Sequence, residues 1–508
     1  MTLPLNRRSF LGLSVAAAAA AGLAACTPAT RTPAQVTRIM PGDPVVAEYE
    51  SKRPAAGTSV TQQLAPAPFT TMLAGKPVTT WGYNGALVAP TIRAKVGDLL
   101  DATVSNGLTE TTSIHWHGLA LRNNDDGVPG LTQEAIGVGK DYSYKFALSH
   151  PGTYWYHSHV EMQRERALYG ALIIEDPQES LQYDKDWVIV LDDWFDGVTG
   201  TPEEVLAEVS KGMPSMGGMD HGSGSGGMVM GHMLMGATSD FLGGDAGDIA
   251  YPIHLFNGRE PGNPETIKAE PGERIRLRII NAAGDTAYRL GVPNQQLTLT
   301  HTDGFPVQHT DVDAVVLGMG ERIDAILTVK EGITPVLALA EGKAQMAYGL
   351  VSTGTGTAPG KDALPTELTG KVVDGGQLTA DPSVAFPAKT ADRTHELRLT
   401  GGMAAYDWGI NDQRFDMAKP YDNAFDLKEG ERVEVKFTND TAMWHPMHIH
   451  GHTFQVGTDG ARKDTVIVRP KETVTVYFDA DNPGQWLFHC HNAFHAERGM
   501  MGVFSYIK

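Results

Sequence analysis

Residues 429–439 read Glu429-Gly430-Glu431-Arg432-Val433-Glu434-Val435-Lys436-Phe437-Thr438-Asn439. From Arg432 to Phe437 polar and apolar side chains alternate with period two, which is typical of a strand with one buried face. The glycine and the final asparagine stand nine residues apart, and the same spacing recurs at 97–106 and at 272–281. The sequence therefore repeats one strand-forming unit three times.

The length and composition fit three β-sandwiches in tandem. The chain has 508 residues, which is too long for one ordinary core, and it contains 57 Gly and 30 Pro with few long helical patterns. We therefore predict an all-β protein. The predicted segments are a signal at 1–26, a tether at 27–55, domains at 56–177, 178–358 and 388–508, and a linker at 359–387.

The charge excludes several classes of partner. The formal net charge is -19, whereas a surface that binds nucleic acids or anionic membranes needs a cluster of basic residues. The charge therefore argues against both partners. After the N-terminus no apolar stretch is long enough to span a membrane. We find no nucleotide-binding glycine motif on a strand–helix turn.

The first 26 residues are predicted to be an export signal. The segment Asn6-Arg7-Arg8-Ser9-Phe10-Leu11 resembles a twin-arginine signal, and the Ala-rich run after it is shorter than a membrane span of roughly 20 residues. Leu23-Ala24-Ala25-Cys26 resembles a lipoprotein cleavage box with Cys26 as the lipid-bearing residue. We therefore predict an exported, periplasmic or cell-surface lipoprotein. The alternative is a chance Arg pair before an uncleaved anchor.

The chain has two cysteines, Cys26 and Cys490. If Cys26 carries lipid, no disulfide forms in the mature chain. An exposed free thiol would be a liability in an oxidising compartment, so we expect Cys490 to be buried or bound to a metal.

Four His-x-His pairs occupy matching places in the first and third repeats. A single pair is weak evidence, because alternate strand residues share a face and two histidines can lie in a core. Eight imidazoles in matched registers exceed any need of packing, and they can converge on a shared metal cluster if the two domains face each other. The middle repeat has Leu290 and Val292 at the corresponding positions, which predicts a spacer or scaffold. The pairs are His115 and His117, His157 and His159, His448 and His450, and His489 and His491.

Cys490 lies between two of these histidines, so on a strand its side chain points the other way and serves a second site. His445, His495 and Met500 complete the two-His, one-Cys, axial-Met ligand set of a blue-copper centre. Zinc would favour a compact tetrahedral set without a lone axial thioether. The peptide bonds that flank Cys490 would then link the two sites covalently.

The first repeat provides an internal comparison. By equal spacing, Ser158, Gln163 and Leu168 stand where Cys490, His495 and Met500 stand in the third repeat. The first domain therefore keeps its share of the cluster and cannot form the blue site.

These His segments together resemble the multicopper oxidases, a family that includes laccases and cuprous oxidases. The resemblance covers nearly the whole mature chain. In its overall sequence character the chain looks most like the exported actinobacterial copper-resistance oxidases. The resemblance implies three tandem cupredoxin-like Greek-key β-sandwich domains with a trinuclear copper cluster between the first and the third. It also implies that a small reductant is oxidised one electron at a time while dioxygen is reduced to water.

The resemblance implies four copper ions with the following ligands. The type 1 ion takes His445, Cys490, His495 and Met500, whereas Met501 packs nearby. The type 2 ion takes His115 and His448. One type 3 ion takes His117, His157 and His491, and the other takes His159, His450 and His489.

Two acidic residues are candidate proton donors for oxygen reduction. Asp126 matches the family's acid near the type 2 ion, although an ordinary Asp-Gly turn with Gly127 is the alternative. Several bacterial relatives carry Glu directly after the position of His495. Here that place is Ala496, and the next residue, Glu497, is the candidate.

The reductant is left open between two classes. Residues 213–235 contain seven of the chain's 19 methionines, together with His221 and His232. Thioethers suit Cu(I), which favours a cuprous oxidase with a role in copper tolerance, whereas a disordered linker is the alternative. A laccase that acts on phenols and aromatic amines is the second class. In either we expect electrons to enter through an exposed ligand histidine, His445 or His495.

Other copper proteins explain less of the sequence. A copper-storage lipoprotein would account for the Met-rich segment but not for Cys490 between two histidines. A degenerate scaffold should have lost ligands, as the middle repeat has. Copper nitrite reductases lack four His-x-His pairs.

Overall fold

The computed structural model describes residues 36–54, 57–212, 226–354, 356 and 365–508. The predicted signal with Cys26 lies outside the described residues, as do 27–35 of the tether, 213–225 of the Met-rich segment and 359–364 of the linker. Residues 38–507 form one compact unit. Thr37 and Lys508 lie outside this unit, and the Lys508 amide donates to the Thr37 carbonyl over 2.9 Å.

Three cupredoxin-like sandwiches follow one another along the chain, as predicted. The first has strands Ser59–Leu64, Pro66–Leu73, Lys76–Tyr83, Ala89–Lys95, Leu99–Ser105, His115–His117, Asp141–Ala147, Gly152–His157 and Tyr169–Glu175. The second has strands Lys185–Trp194, Ile253–Phe256, Thr266–Lys268, Arg274–Asn281, Tyr288–Gly291, Leu297–Thr302, Phe305–Val312, Ala314–Leu317, Arg322–Thr328, Ile333–Ala340, Gln345–Ser352 and Val372–Asp374. The third has strands Arg393–Gly402, Asp407–Ile410, Phe425–Leu427, Arg432–Asn439, His445–Ile449, Phe454–Val456, Arg462–Lys463, Thr465–Val468, Thr473–Asp479, Gln485–Cys490 and Met501–Tyr506.

The helices among the described residues are short, and they are neither long nor apolar enough to cross a membrane. The α-helices of this part of the chain are Pro44–Ser51, Pro202–Val209 and Ala493–Glu497. Its 3₁₀ turns are Asn123–Asp125, Glu161–Glu165, Thr366–Thr369 and Gly375–Gln377. Two short strands lie in the Met-rich insertion, Met228–Met230 and Met233–Met235, and two more follow it, Thr238–Ser239 and Gly244–Asp245.

The repeated glycine lies in the turn just before the central strand of each domain. Gly97, Gly272 and Gly430 have φ of 87°, 91° and 81°, a left-handed conformation that glycine adopts without a steric penalty. The strand that follows each glycine pairs in parallel with an early strand of its domain. The repeat in the sequence is therefore a repeat of topology.

The repeated asparagine holds the loop that leads to the histidine strands. Asn106, Asn281 and Asn439 are buried, and each side-chain amide donates to at least two backbone carbonyls of neighbouring segments. The side-chain oxygen of each accepts the amide two residues later. One buried side chain thus satisfies backbone groups that the loop would leave unpaired.

Part of the predicted tether packs against the first and third domains. Glu50, on the helix Pro44–Ser51, accepts the amide of Ala147 over 2.9 Å. Arg53 donates to the side chain of Asn482 over 2.9 Å. The segment 38–54 therefore crosses from one copy of the sandwich to the other.

Candidate copper centres

The His-x-His pairs meet because their strands are neighbours in the two outer domains. In the first domain His115 pairs across the sheet with His157, and in the third domain His448 pairs with His489. The ring centroids of His115 and His450, from different domains, lie 3.8 Å apart. The predicted convergence of eight imidazoles between the first and third domains is present.

The eight histidines form three groups whose ligand atoms lie within 4.8 Å of one another. The groups are His115, His117 and His448; His117, His157 and His491; and His159, His450 and His489. Within the third group, Nε2 of His450 lies 3.1 Å from Nε2 of His489, which suits two ligands of one ion.

Hydrogen bonds orient the rings so that one nitrogen faces inward. Nδ1 of His115 and of His157 donates to a backbone carbonyl over 2.8 Å, and Nδ1 of His448 does so over 2.9 Å. A carbonyl only accepts, so Nδ1 carries the proton and Nε2 keeps its lone pair. Burial lowers the pKa of His157 and His491 well below its ordinary value, which keeps these ligands neutral.

Five inward nitrogens are buried without a hydrogen-bond partner in the described part of the chain. They are Nε2 of His115, His157, His448 and His491, and Nδ1 of His117. Leaving such atoms unpaired in a protein interior costs free energy unless something binds them. A bound metal ion removes that cost, so the residues present fit a metal cluster.

Cys490 forms a separate group with His445 and His495. Its sulfur lies 3.6 Å from Nδ1 of His445 and 3.7 Å from Nδ1 of His495, and the two Nδ1 atoms are 3.1 Å apart. Met500 is fully buried in the same hydrophobic core. Burial raises the pKa of the Cys490 thiol to about 12, so the thiolate form needs a bound cation.

The first domain replaces this site with hydrogen bonds. Thr112 stands where His445 stands in the third domain, and its hydroxyl donates to Gln163 over 2.8 Å. Ser158 donates to the same amide oxygen over 2.7 Å, and Leu168 is fully buried. The group with the cysteine is therefore in the third domain, and the first domain has hydrogen bonds in the corresponding place.

Comparison with known proteins agrees with this geometry. Models described as multicopper oxidase match residues 68–179, 185–336 and 389–507. The chain is 42% identical to the multicopper oxidase MmcO of Mycobacterium tuberculosis, over 99% of this chain and 97% of that protein. The chain belongs to the multicopper oxidase family. Copper is therefore its cofactor, and it oxidises a reductant with dioxygen as acceptor.

More distant relatives share the fold or the family. A copper resistance protein A homolog of Pseudomonas syringae pv. tomato is 28% identical, over 84% of this chain and 89% of that protein. The solved structure of Fet3p, a multicopper oxidase that functions in iron import, superposes with a TM-score of 0.73 at 20% identity, over 88% of this chain and 90% of that one. The latter likeness shows the fold.

Asp126 bridges two parts of the oxidase cluster. It is fully buried; its carboxylate lies 3.0 Å from Nδ1 of His450, and its backbone carbonyl accepts Nδ1 of His115. The Asp-Gly turn is present as well: Gly127 has a φ of 82°, and a Cβ there would lie 1.8 Å from the Ile114 carbonyl oxygen. The turn is what places the carboxylate at the cluster.

Glu497 lines a small cavity beside the cluster histidines His157, His159 and His489. Burial raises the pKa of its carboxyl to about 7, against the opposing charge of Arg164. A carboxyl in this range can hold a proton at neutral pH and release it. The cavity also contains Glu161 and Arg164, which lie on the 3₁₀ turn after the second His pair.

The expectation of an exposed type 1 histidine is wrong. His445 and His495 are both 0% exposed. Trp408 covers His495 with its ring 4.2 Å away, and Asp248 binds the outer nitrogen of His495 over 3.0 Å. Asp248 follows the Met-rich insertion in the chain, so this part of the cover comes from the segment after the insertion.

The described part of the insertion is a methionine hairpin. Met228 pairs with Met235 and Met230 with Met233, so the four thioethers lie on one face. At the turn, Nδ1 of His232 lies 2.7 Å from a carboxylate oxygen of Glu208 on the helix Pro202–Val209. Although burial opposes it, this contact raises the pKa of His232. The hairpin is thereby held against the domain.

Three residues at the sites have no signal in the sequence. Asp248, Arg322 and Asp464 lie outside any His motif, yet all three are fully buried. Asp248 and Asp464 contact site histidines, and Arg322 contacts Asp464. Each makes a contact that spans more than 100 residues of sequence, which no local motif reveals.

Proposed function

We propose that this multicopper oxidase binds four copper ions and is a cuprous oxidase with a role in copper tolerance. The observation that carries the copper assignment is the set of inward-facing, unpaired imidazole nitrogens beside a separate Cys490 group. The proposed ligands are those implied by the sequence: His445, Cys490, His495 and Met500 for type 1; His115 and His448 for type 2; His117, His157 and His491, and His159, His450 and His489, for type 3.

When bound, copper at these sites supplies one-electron transfer and the reduction of dioxygen. The chain provides the connection between the sites. Cys490 faces one site, whereas His489 and His491 face the other, so two peptide bonds join them. Asp126 and Glu497 hold and deliver the protons that water formation consumes.

The methionine hairpin supports Cu(I) as the reductant. Met228 and Met230 are 46% and 37% exposed, and soft thioether sulfurs suit Cu(I) better than they suit Fe(II). Met233 also packs against the core that contains Cys490. The hairpin thus reaches from solvent toward a type 1 site whose histidines are covered.

The test is oxygen consumption by copper-loaded protein with Cu(I), Fe(II) or a substituted phenol. We expect Cu(I) to be the fastest reductant, and replacement of the four hairpin methionines by Leu to raise the KM for Cu(I) but not for the phenol. Met72→Leu, at a methionine that is 62% exposed on the first domain, is the matched control. Equal loss with both reductants would contradict the capture role, and fast phenol turnover with little Cu(I) turnover would favour a laccase.

We also propose that the chain is exported and anchored by lipid at Cys26. The resemblance of residues 6–11 and 23–26 to export and cleavage motifs supports this. Cys26→Ala should release the protein from the membrane fraction. Retention of the variant in that fraction would argue against the anchor.

A further inference from the structure

Asp464, a residue of the third domain, contacts two histidines of the cluster. One carboxylate oxygen lies 3.1 Å from Nε2 of His117, and its backbone carbonyl accepts Nδ1 of His448 over 2.9 Å. Asp464 and both rings are fully buried. The contact with His117 joins the third domain to the first.

His117 differs from the other histidines whose inward nitrogens are unpaired. Its free nitrogen is Nδ1, whereas His115, His157, His448 and His491 leave Nε2 free. The Nε2 of His117 must therefore carry the proton if Nδ1 is to offer a lone pair. A carboxylate that only accepts, placed at Nε2, enforces that tautomer.

Arg322 of the middle domain holds this carboxylate. Its two terminal nitrogens donate to the two oxygens of Asp464 over 2.8 and 2.6 Å, a bidentate pair. Its Nε donates to the carbonyl of Thr153, on the strand that ends at His157. These bonds join the middle domain to the first and the third. Arg322 itself is 0% exposed.

Gly118, which directly follows His117 in the sequence, fits this arrangement. A Cβ on Gly118 would lie 2.4 Å from Nη2 of Arg322 and 2.6 Å from a carboxylate oxygen of Asp464. The ion pair therefore packs directly on the backbone next to His117. On the other side, a Cβ on Gly320 of the middle domain would lie 3.1 Å from the His117 ring.

We propose that Arg322 is a positioning residue for the cluster: it orients Asp464, which fixes the tautomer and ring orientation of His117 so that Nδ1 faces the metal. The inference rests on the ligand set proposed above. It gives the middle domain, predicted from sequence to be a spacer or scaffold, a specific part in copper binding.

The experiment compares copper retention by full-length, copper-loaded variants over a series of chelator concentrations. In Arg322→Gln we expect cluster copper to be lost at chelator concentrations roughly 10–100-fold lower than in the wild type, the usual cost of losing an outer-shell partner. The blue absorption of the type 1 site should be unchanged, which shows that the third domain is folded. Arg322→Lys, which keeps the charge but not the bidentate geometry, should give an intermediate loss.

Arg278→Gln is the matched control. Arg278 is a buried arginine of the same domain that also donates to Thr153 of the first domain, but its carboxylate partners are Asp324 and Asp186. This variant should retain copper as the wild type does. Unchanged retention in Arg322→Gln, or the same loss in Arg278→Gln, would overturn the positioning role. A wild-type chain that retains no cluster copper would instead refute the proposed ligand set, and the inference with it.

Discussion

Nε2 of His495 lies 3.0 Å from a carboxylate oxygen of Asp248, and the hydroxyl of Tyr406 donates to the same oxygen over 2.8 Å. The contact fixes the outer nitrogen of the ring, so that Nδ1 faces Cys490. It also joins the proposed type 1 site to the segment that follows the methionine hairpin. Because all three side chains are fully buried, no water can replace the carboxylate without rearrangement.

Asp248→Ala is therefore expected to weaken copper binding at the proposed type 1 site. Without its outer partner the His495 ring is free to rotate, and such losses lower metal affinity or activity by about 10–100-fold. The measurement is the intensity of the blue absorption during titration with a chelator. Asp245→Ala, which removes a nearby carboxylate that accepts the Gly247 amide, should leave the blue absorption unchanged. Equal sensitivity of the two variants would show that Asp248 acts only through the fold.

Cys490→Ser is expected to separate the two centres. A hydroxyl cannot replace a thiolate as a soft ligand, so blue absorption and oxygen consumption should both disappear. The cluster copper should remain, because His489 and His491 face the other site. Metal analysis of the purified variant checks this, and loss of all copper would contradict the division into two sites.

Glu497→Gln is expected to slow oxygen reduction without loss of copper. Removal of a general acid typically costs about 10²–10⁴ in rate. Glu161→Gln is the control, because Glu161 lines the same cavity but is exposed. The turnover number at saturating reductant and oxygen is the quantity to compare, and similar values for both variants would remove Glu497 from the proton path.

The sequence identified the proposed ligands because most of them belong to short His motifs on a strand or directly after its end. Alternation at His115 and His117, or at His489 and His491, is a local property that spacing reveals. The role of Arg322 could not be predicted, because it contacts Asp464 across 142 residues and lies in the domain that lacks histidines. The cover over His495 was missed for the same reason: Asp248 and Trp408 reach it from distant segments, and burial is a property of the folded chain.

Gly118→Ala is expected to be more destabilising than Gly97→Ala. Both glycines have a φ of 87°, where an L-residue costs about 1–2 kcal/mol. A Cβ on Gly97 would meet nothing within 4 Å, whereas on Gly118 it would clash with Arg322 and Asp464. Equal free energies of unfolding, measured by denaturant titration, would mean that the ion pair moves away at little cost.

Glu165 makes stability depend on pH in the direction opposite to that of a typical salt-bridged carboxylate. Burial and the nearby charge of Asp193 raise the pKa of Glu165 to about 8, from 4.5 in an exposed setting. Between these two values the folded chain holds a proton that the unfolded chain has lost, so the stability contributed by protonated Glu165 declines as pH rises through the window.

Glu165→Gln keeps an acceptor for the hydroxyl of Tyr251 and removes the titration. The variant should therefore gain stability relative to wild type between pH 5 and about 8, by a few kcal/mol at most. Melting temperatures at equal copper loading test this, with exposed Glu134→Gln as control; a wild-type and a Glu165→Gln curve that run parallel across the window would contradict it.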